Sequence, residues 1–186
     1  MLILNSKIEK TPILGLQTGS QLATTGAPII NPANLQIIAY RLENNSYSNE
    51  EMFIRIDEIR ELSRLGFIID SGEDFILADD VIRIKEILDL NFNLIGMPVV
   101  DEKGNKLGKI IDFTMSLLNF EVQQLIVKRP LLKSLNNPEL TIHRNLITQI
   151  DDEKITIHSE NDENPLKRVE QNEENFVPNY INPFRD

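Results

Sequence analysis

The sequence predicts a mainly β protein: two tandem small β-barrels, a short linking α-helix and a disordered C-terminal tail. Three observations lead there. Short runs of alternating apolar and polar residues cover most of the chain, one order of parts recurs in both halves, and one segment between them switches to a helical period. The boundaries that follow are 1–78 for the first barrel, 79–93 for the helix, 94–160 for the second barrel and 161–186 for a flexible acidic tail.

In the first half, residues Thr11 to Tyr40 carry no charge. Gln17, Thr18, Gln21, Asn31, Asn34, Gln36 and three prolines interrupt the run, so it falls short of the ~20 predominantly apolar residues of an integral membrane span. A buried, turn-rich β segment is expected instead. "LQIIAYRL" at 35–42 and "MFIRIDEI" at 52–59 continue it, and "DEIREL" at 57–62 has room for one or two helical turns.

In the middle, Val81, Ile84, Ile87 and Leu88 recur at three and four. Asp79 and Asp80 stand in the N-terminal turn, where the helix dipole favours them. The predicted helix packs between the two barrels.

The second half reads as five or six short strands. Ile111, Phe113 and Met115 are placed on one side of an extended segment and Asp112 and Thr114 on the other. "EVQQLIVKRP" follows and ends at Pro130, then "ELTIHR", "NLITQIDDE" and "KITIHS". The first half repeats this order: "LQIIAYRL" lies 87 residues before "VQQLIVKR", and "MFIRIDEI" 88 before "LTIHRNLI". Near-constant spacing points to duplication of one unit.

Beyond Glu160 the chain turns polar, acidic and proline-broken, too poor in apolar residues to offset its ordering entropy. It still gathers Phe176, Val177, Tyr180, Ile181 and Phe184 within nine residues. A linear motif that docks on a partner or folds back on its own barrel would account for them, and it is weighed evenly against a plain solubilising tail.

The most ordered stretch is "IGMPVVDEKGNKLGKIIDF", Ile95 to Phe113. Gly104 suits the positive φ of a tight turn, and Gly108 lets a neighbouring backbone approach closely. A phosphate-cradling loop would need a helix to follow; a strand follows here. Ile95, Gly96, Val99, Val100, Gly104, Leu107, Gly108, Ile110 and Asp112 together resemble the leading hairpin of the PRC-barrel family, over about 94–160. The first half resembles a degenerate copy, with Ala23 where Gly108 stands and Thr24 where Lys109 does. The resemblance implies a non-enzymatic docking module for protein or ribonucleoprotein, without cofactors.

Composition narrows the function classes. A net charge of −10 repels nucleic acid and anionic membranes on average, so no DNA partner is expected. The absence of cysteine excludes disulfides, thiolate metal sites and a Cys nucleophile. The N-terminal "MLILNSKIEK" lacks the basic segment of a signal peptide, which gives a cytoplasmic expectation.

Other candidates are weighed against simpler readings. His143 and His158 stand on the polar sides of strands without a third metal ligand, so surface positions are favoured. Asp70, Glu73, Asp74, Asp79 and Asp80 do not follow a calcium-loop spacing, which favours a solvated loop and a helix start. Lys103, Lys106, Lys109, Lys128 and Arg129, with Lys133, form the one basic concentration and a weak RNA or phosphate candidate. Leu131, Leu132 and Leu135 occupy a proline-bounded loop, where they cap a barrel or dock a partner. The reading is an intracellular adaptor whose anchors are Leu131, Leu132, Phe176, Tyr180 and Phe184. The alternative is an RNA- or ribosome-associated assembly factor working through the basic residues.

Overall fold

The computed structural model describes residues 1–130, 138–158 and 179–180. The chain is mainly β with one α-helix, and the strands form two sheets. The first contains β2 (Pro12–Gly15), β3 (Gln21–Asn31), β4 (Gln36–Glu43), β5 (Met52–Arg55), β6 (Glu61–Leu62), β7 (Phe67–Ile69) and β8 (Phe75–Leu77), in the order β6-β7-β2-β3-β4-β5-β8. The second contains β9 (Pro98–Asp101), β10 (Lys106–Ser116), β11 (Val122–Lys128), β12 (Glu139–His143), β13 (Ile147–Ile150), β14 (Ile155–Ile157) and β15 (Asn179–Tyr180), in the order β12-β11-β10-β9-β14-β13-β15. The N-terminal β1 (Leu2–Leu4) joins this second sheet by pairing with β10.

Of the five or six strands expected for the second half, six are present at 98–157, and six strands of the first sheet follow the same order. In each, a parallel pairing brings the last strand back beside the first: β7 on β2, β14 on β9. Local geometry repeats as well. Lys10 and Gly96 both have positive φ, and their N–H groups donate to Thr25 O (2.7 Å) and Ile110 O (2.8 Å).

Neither sheet closes into a barrel among the described residues, contrary to the sequence expectation. The physical reason lies in the core. One hydrophobic cluster runs through both halves, from Ile13, Tyr40, Ile54 and Phe67 to Val99, Phe113, Met115 and Leu125. Tyr40 donates its hydroxyl to Met115 Sδ (3.3 Å), and Phe67 packs on Phe120 with ring centroids 6.3 Å apart. Each open sheet therefore buries its apolar face against residues of the other. A closed barrel would instead enclose a core of its own.

Helix α1 (Ile82–Asp89) exists where the period predicted it, but it does not sit between the halves. Its Ile84 and Ile87 form a separate small cluster with Ile29, Ala39 and Phe53. Those residues are strand neighbours of Ile30, Tyr40 and Ile54, which face the shared core. Period-two alternation thus gives the first sheet two apolar faces, and the helix covers the second of them. Asp79 and Asp80 precede the helix in a 3-10 turn, Ala78–Asp80, where Asp80 Oδ2 accepts the Leu77 N–H (2.8 Å). "DEIREL" divides into a 3-10 turn, Ile56–Glu58, and β6.

Two register expectations also change. A bulge between Ile110 and Asp112 buries Ile110 and leaves Ile111 41% exposed, so Ile111 does not share the face of Phe113 and Met115. One extra residue reverses every side chain before it relative to those after it. The ladders also match Thr25 with Leu42 and Ile110 with Val127, which sets β4 against β11 at a spacing of 85 rather than 87. A shift of two preserves every face, so alternation cannot detect it. The spacing of 88 stands for the 3-10 turns Ile56–Glu58 and Arg144–Leu146.

Most of the tail lies outside the described residues. Asn179–Tyr180 do not: they pair in parallel with Gln149 and Ile150 at the edge of the second sheet.

Candidate docking surface

The opening hairpin of the second sheet is organised by Asp101. Its Oδ1 accepts the N–H groups of Lys103 (2.9 Å) and Asn105 (2.8 Å), and its Oδ2 accepts Asn105 Nδ2 (2.8 Å). Gly104 completes the turn with φ +82°, its N–H donating to Asp101 O (2.9 Å). The Asn105 side chain first, then the Asn105 and Lys103 amides, hold the Asp101 carboxyl below its ordinary range. A depressed folded pKa contributes stability that is present above the unfolded value of about 3.9 and is lost as pH falls through the folded value. Asp101→Asn is accordingly expected to flatten the acid limb of the stability profile below about pH 4. Urea titrations at a series of pH values measure it; an unchanged limb would count against the assignment.

Gly96 has φ +90°, and Gly108 lies against β11, where a Cβ would come 2.1 Å from Lys128 O. Asp112 fastens the N-terminus: its Oδ1 accepts the Ser6 N–H (3.3 Å) and the Phe113 N–H (2.8 Å). Gly96 and Gly104 thus stand in turns, and Gly108 and Asp112 in β10.

The hairpin brings part of the basic set together. Lys109 and Lys128 are direct cross-strand partners, both exposed, and Glu139 follows Lys128 on the next strand. Lys103 lies in the turn, Lys106 opposite Val100, and the Arg129 N–H donates to Pro138 O (2.9 Å). Leu131, Leu132, Phe176 and Phe184 lie outside the described residues. For Tyr180 only the main-chain pairing with Ile150 is described.

The two histidines do not converge on a site. His143 Nδ1 accepts the Asn145 N–H (3.3 Å) and caps the turn Arg144–Leu146; His158 Nδ1 lies 3.0 Å from Glu102 Oε2. The acids are dispersed too: Asp70 pairs with Arg60, which lowers its carboxyl, Asp74 caps Ser71 and Asp79 pairs with Lys85. Among the described residues no group of His, Asp and Glu is placed to hold a metal ion.

A concave feature lies where the halves meet. Two turns, β3–β4 and β10–β11, exchange main-chain bonds: Ile37 N–H to Phe120 O (2.8 Å) and Val122 N–H to Leu35 O (3.0 Å). Leu35 (φ +56°) and Phe120 (φ +53°) adopt the left-handed region to make this exchange. Arg144 locks it. Only 5% exposed, it donates to Glu121 Oε2 (3.0 Å), Val122 O (2.9 Å) and, across the junction, Asn34 O (2.9 Å). Burial lowers its pKa and Glu121 opposes the shift.

Beside this junction a groove of about 620 Å³ is lined by Ile56, Ile59 and Leu62, by Val81 just before α1 and Ile84 within it, and by the β10–β11 turn. At its rim Leu118 is 91% exposed. Arg55 and Arg60 also line it, each paired with a carboxylate, together with Arg83. Neither Arg144 nor Leu118 carries a sequence signal. The arginine lies in a polar strand end, and the leucine stands in a Leu-Leu pair where the alternation of β10 ends, which assigns it to neither face.

Among the described residues no helix is long and apolar enough to cross a membrane. No curated protein matches the chain. Residues 88–163 match the model of the PRC-barrel domain, and the resemblance first seen in the hairpin holds from β9 to β14. Over residues 88–163 this chain carries a PRC-barrel domain.

Proposed function

We propose that this chain is a non-enzymatic intracellular adaptor that binds another protein. The domain match supports an interaction module in general, and one observation carries the choice of surface. Leu118, almost wholly exposed, stands at the rim of the groove formed where the two sheets meet. A large apolar side chain beside a concavity with apolar residues on its walls and charged ones among them is the arrangement from which a few anchors dominate a protein interface. The anchors expected from the sequence, Leu131, Leu132, Phe176, Tyr180 and Phe184, remain part of the proposal as a second contact region.

The proposal includes the domain layout. Residues 1–78 are a degenerate first copy of the PRC unit, 79–93 a linking helical segment, 94–160 the PRC-barrel domain and 161–186 a tail. The common strand order supports this, as do Asn5, Ile8 and Pro12, which recur as Asn91, Leu94 and Pro98 at one spacing.

Leu118→Asp is expected to reduce partner capture from native extract about tenfold or more while leaving the melting temperature unchanged. A defined protein retained by the original chain at high salt and lost with the variant supports the adaptor. Capture indifferent to the variant removes the groove as its surface. One observation favours a second reading, since Lys109 faces Lys128 across the ladder. Recovery of ribonucleoprotein that disappears as salt rises would put the assembly-factor reading first.

A further inference from the structure

The two sheets share a strand order but differ at one edge. In the first sheet the outer edge of β5 is covered by β8, in the antiparallel register Met52↔Leu77, Phe53↔Ile76 and Ile54↔Phe75. The corresponding strand of the second sheet is β12, and among the described residues it ends the sheet. The 88-residue spacing sets Thr141 at the place of Phe53.

The phase of the ladder shows what that edge presents. Antiparallel pairs alternate between residues that exchange main-chain bonds and residues that direct theirs away. The Arg129 N–H donates to Pro138 O, so in the register Lys128↔Glu139, Val127↔Leu140, Ile126↔Thr141 and Leu125↔Ile142 the bonded pairs are those of Leu140 and Ile142. Glu139 and Thr141 therefore direct their main-chain groups outward. β12 contains no proline, lysine or bulge that would blunt pairing.

The side chains state what fits. A strand laid antiparallel on β12 needs apolar residues opposite Ile142 and Leu140, a small or β-branched residue opposite Thr141 and a hydrogen-bond donor opposite Glu139. Leu140-Thr141-Ile142-His143, read in its own direction, meets each requirement.

We infer that β12 is a self-association edge: two copies of this chain pair through it, antiparallel about a two-fold axis at Thr141. Ile142 then lies opposite Leu140 of the other copy, Thr141 opposite Thr141 and Glu139 opposite His143. The two Thr141 residues exchange N–H···O bonds at the centre. This surface is distinct from the junction groove, and its test does not depend on the proposed adaptor role.

Sedimentation velocity over a concentration series tests it with the full chain, alongside deuterium exchange of the Thr141 amide. The expected result is a monomer–dimer equilibrium in which Thr141 exchange slows as the dimer forms. Thr141→Pro removes both central bonds without touching the ladder to β11, and Thr141→Lys sets two ammonium groups face to face. Each should weaken the dimer by about tenfold or more. Far-UV circular dichroism establishes that the variants fold, and if the proline variant does not, the lysine variant and the exchange data decide. A chain that stays monomeric at high micromolar concentration overturns the inference, as does a dimer whose Thr141 amide exchanges at the monomer's rate. A monomer would leave the edge to a strand from a different protein.

Discussion

Arg144→Ala is expected to destabilise the protein by about 3–5 kcal/mol, more than any surface substitution and comparable to emptying a core position. The guanidinium is buried at the junction, with Glu121 and the carbonyls of Val122 and Asn34 as acceptors. Removing it leaves a partly buried carboxylate and two carbonyls without their donor, and each such group loses hydration it cannot recover. Lysine should rescue little. Its single ammonium cannot direct donors to acceptors on two sides, as the planar fork does. Glu121→Gln in the Arg144→Ala background should recover part of the loss, because the uncompensated charge disappears with the partner. Urea unfolding with a double-mutant cycle measures all three. A loss under about 1 kcal/mol for Arg144→Ala would mean that the junction holds without this side chain.

Gly108→Ala is expected to cost about 3 kcal/mol, and for a reason that hydrophobicity does not touch. A Cβ there would lie 2.1 Å from Lys128 O and 2.8 Å from the same residue's carbonyl carbon. Both contacts are with backbone, so β10 and β11 would have to separate where Lys109 faces Lys128. Gly104→Ala is the control. It also requires positive φ (+82°), but nothing lies within 4 Å of its Cβ, so only the backbone strain of about 1 kcal/mol is expected. Equal losses at the two glycines would show that backbone conformation, not close approach, dictates Gly108. The matching position in the first sheet is Ala23, paired with Ile13 as Gly108 is with Val99. That sheet tolerates a methyl group there, which makes Ala23→Gly a mild substitution by comparison.

Several features were legible because they are local. Alternation marked the strands from β9 to β14, and the period change marked α1 with Ile84 and Ile87 inward. The turn at Gly104 and the close approach at Gly108 follow from what a hairpin demands of its residues. The resemblance carried by that hairpin extended correctly to the domain match over 88–163. The bulge at Ile110–Asp112 was not legible, since Lys-Ile-Ile-Asp-Phe reads the same whether or not one residue is extruded. Leu118 was not legible either; exposure depends on what the neighbouring turn leaves uncovered.

By itself, then, the sequence determined the strands from β9 to β14, the helix and the tight turn at Gly104. Each of these depends on residues within a few positions of one another. Only the tertiary structure decided how the apolar faces are covered. Two open sheets share one core through Tyr40, Met115, Phe67 and Phe120 in place of two closed barrels. The helix lies on the outer face of the first sheet, and β1 crosses to pair with β10. Burial rewards any partner that excludes water, and alternation names the face to be buried without naming what buries it. For the same reason Arg144 acquires its role only when Asn34, far away in the chain, is brought within reach of its guanidinium.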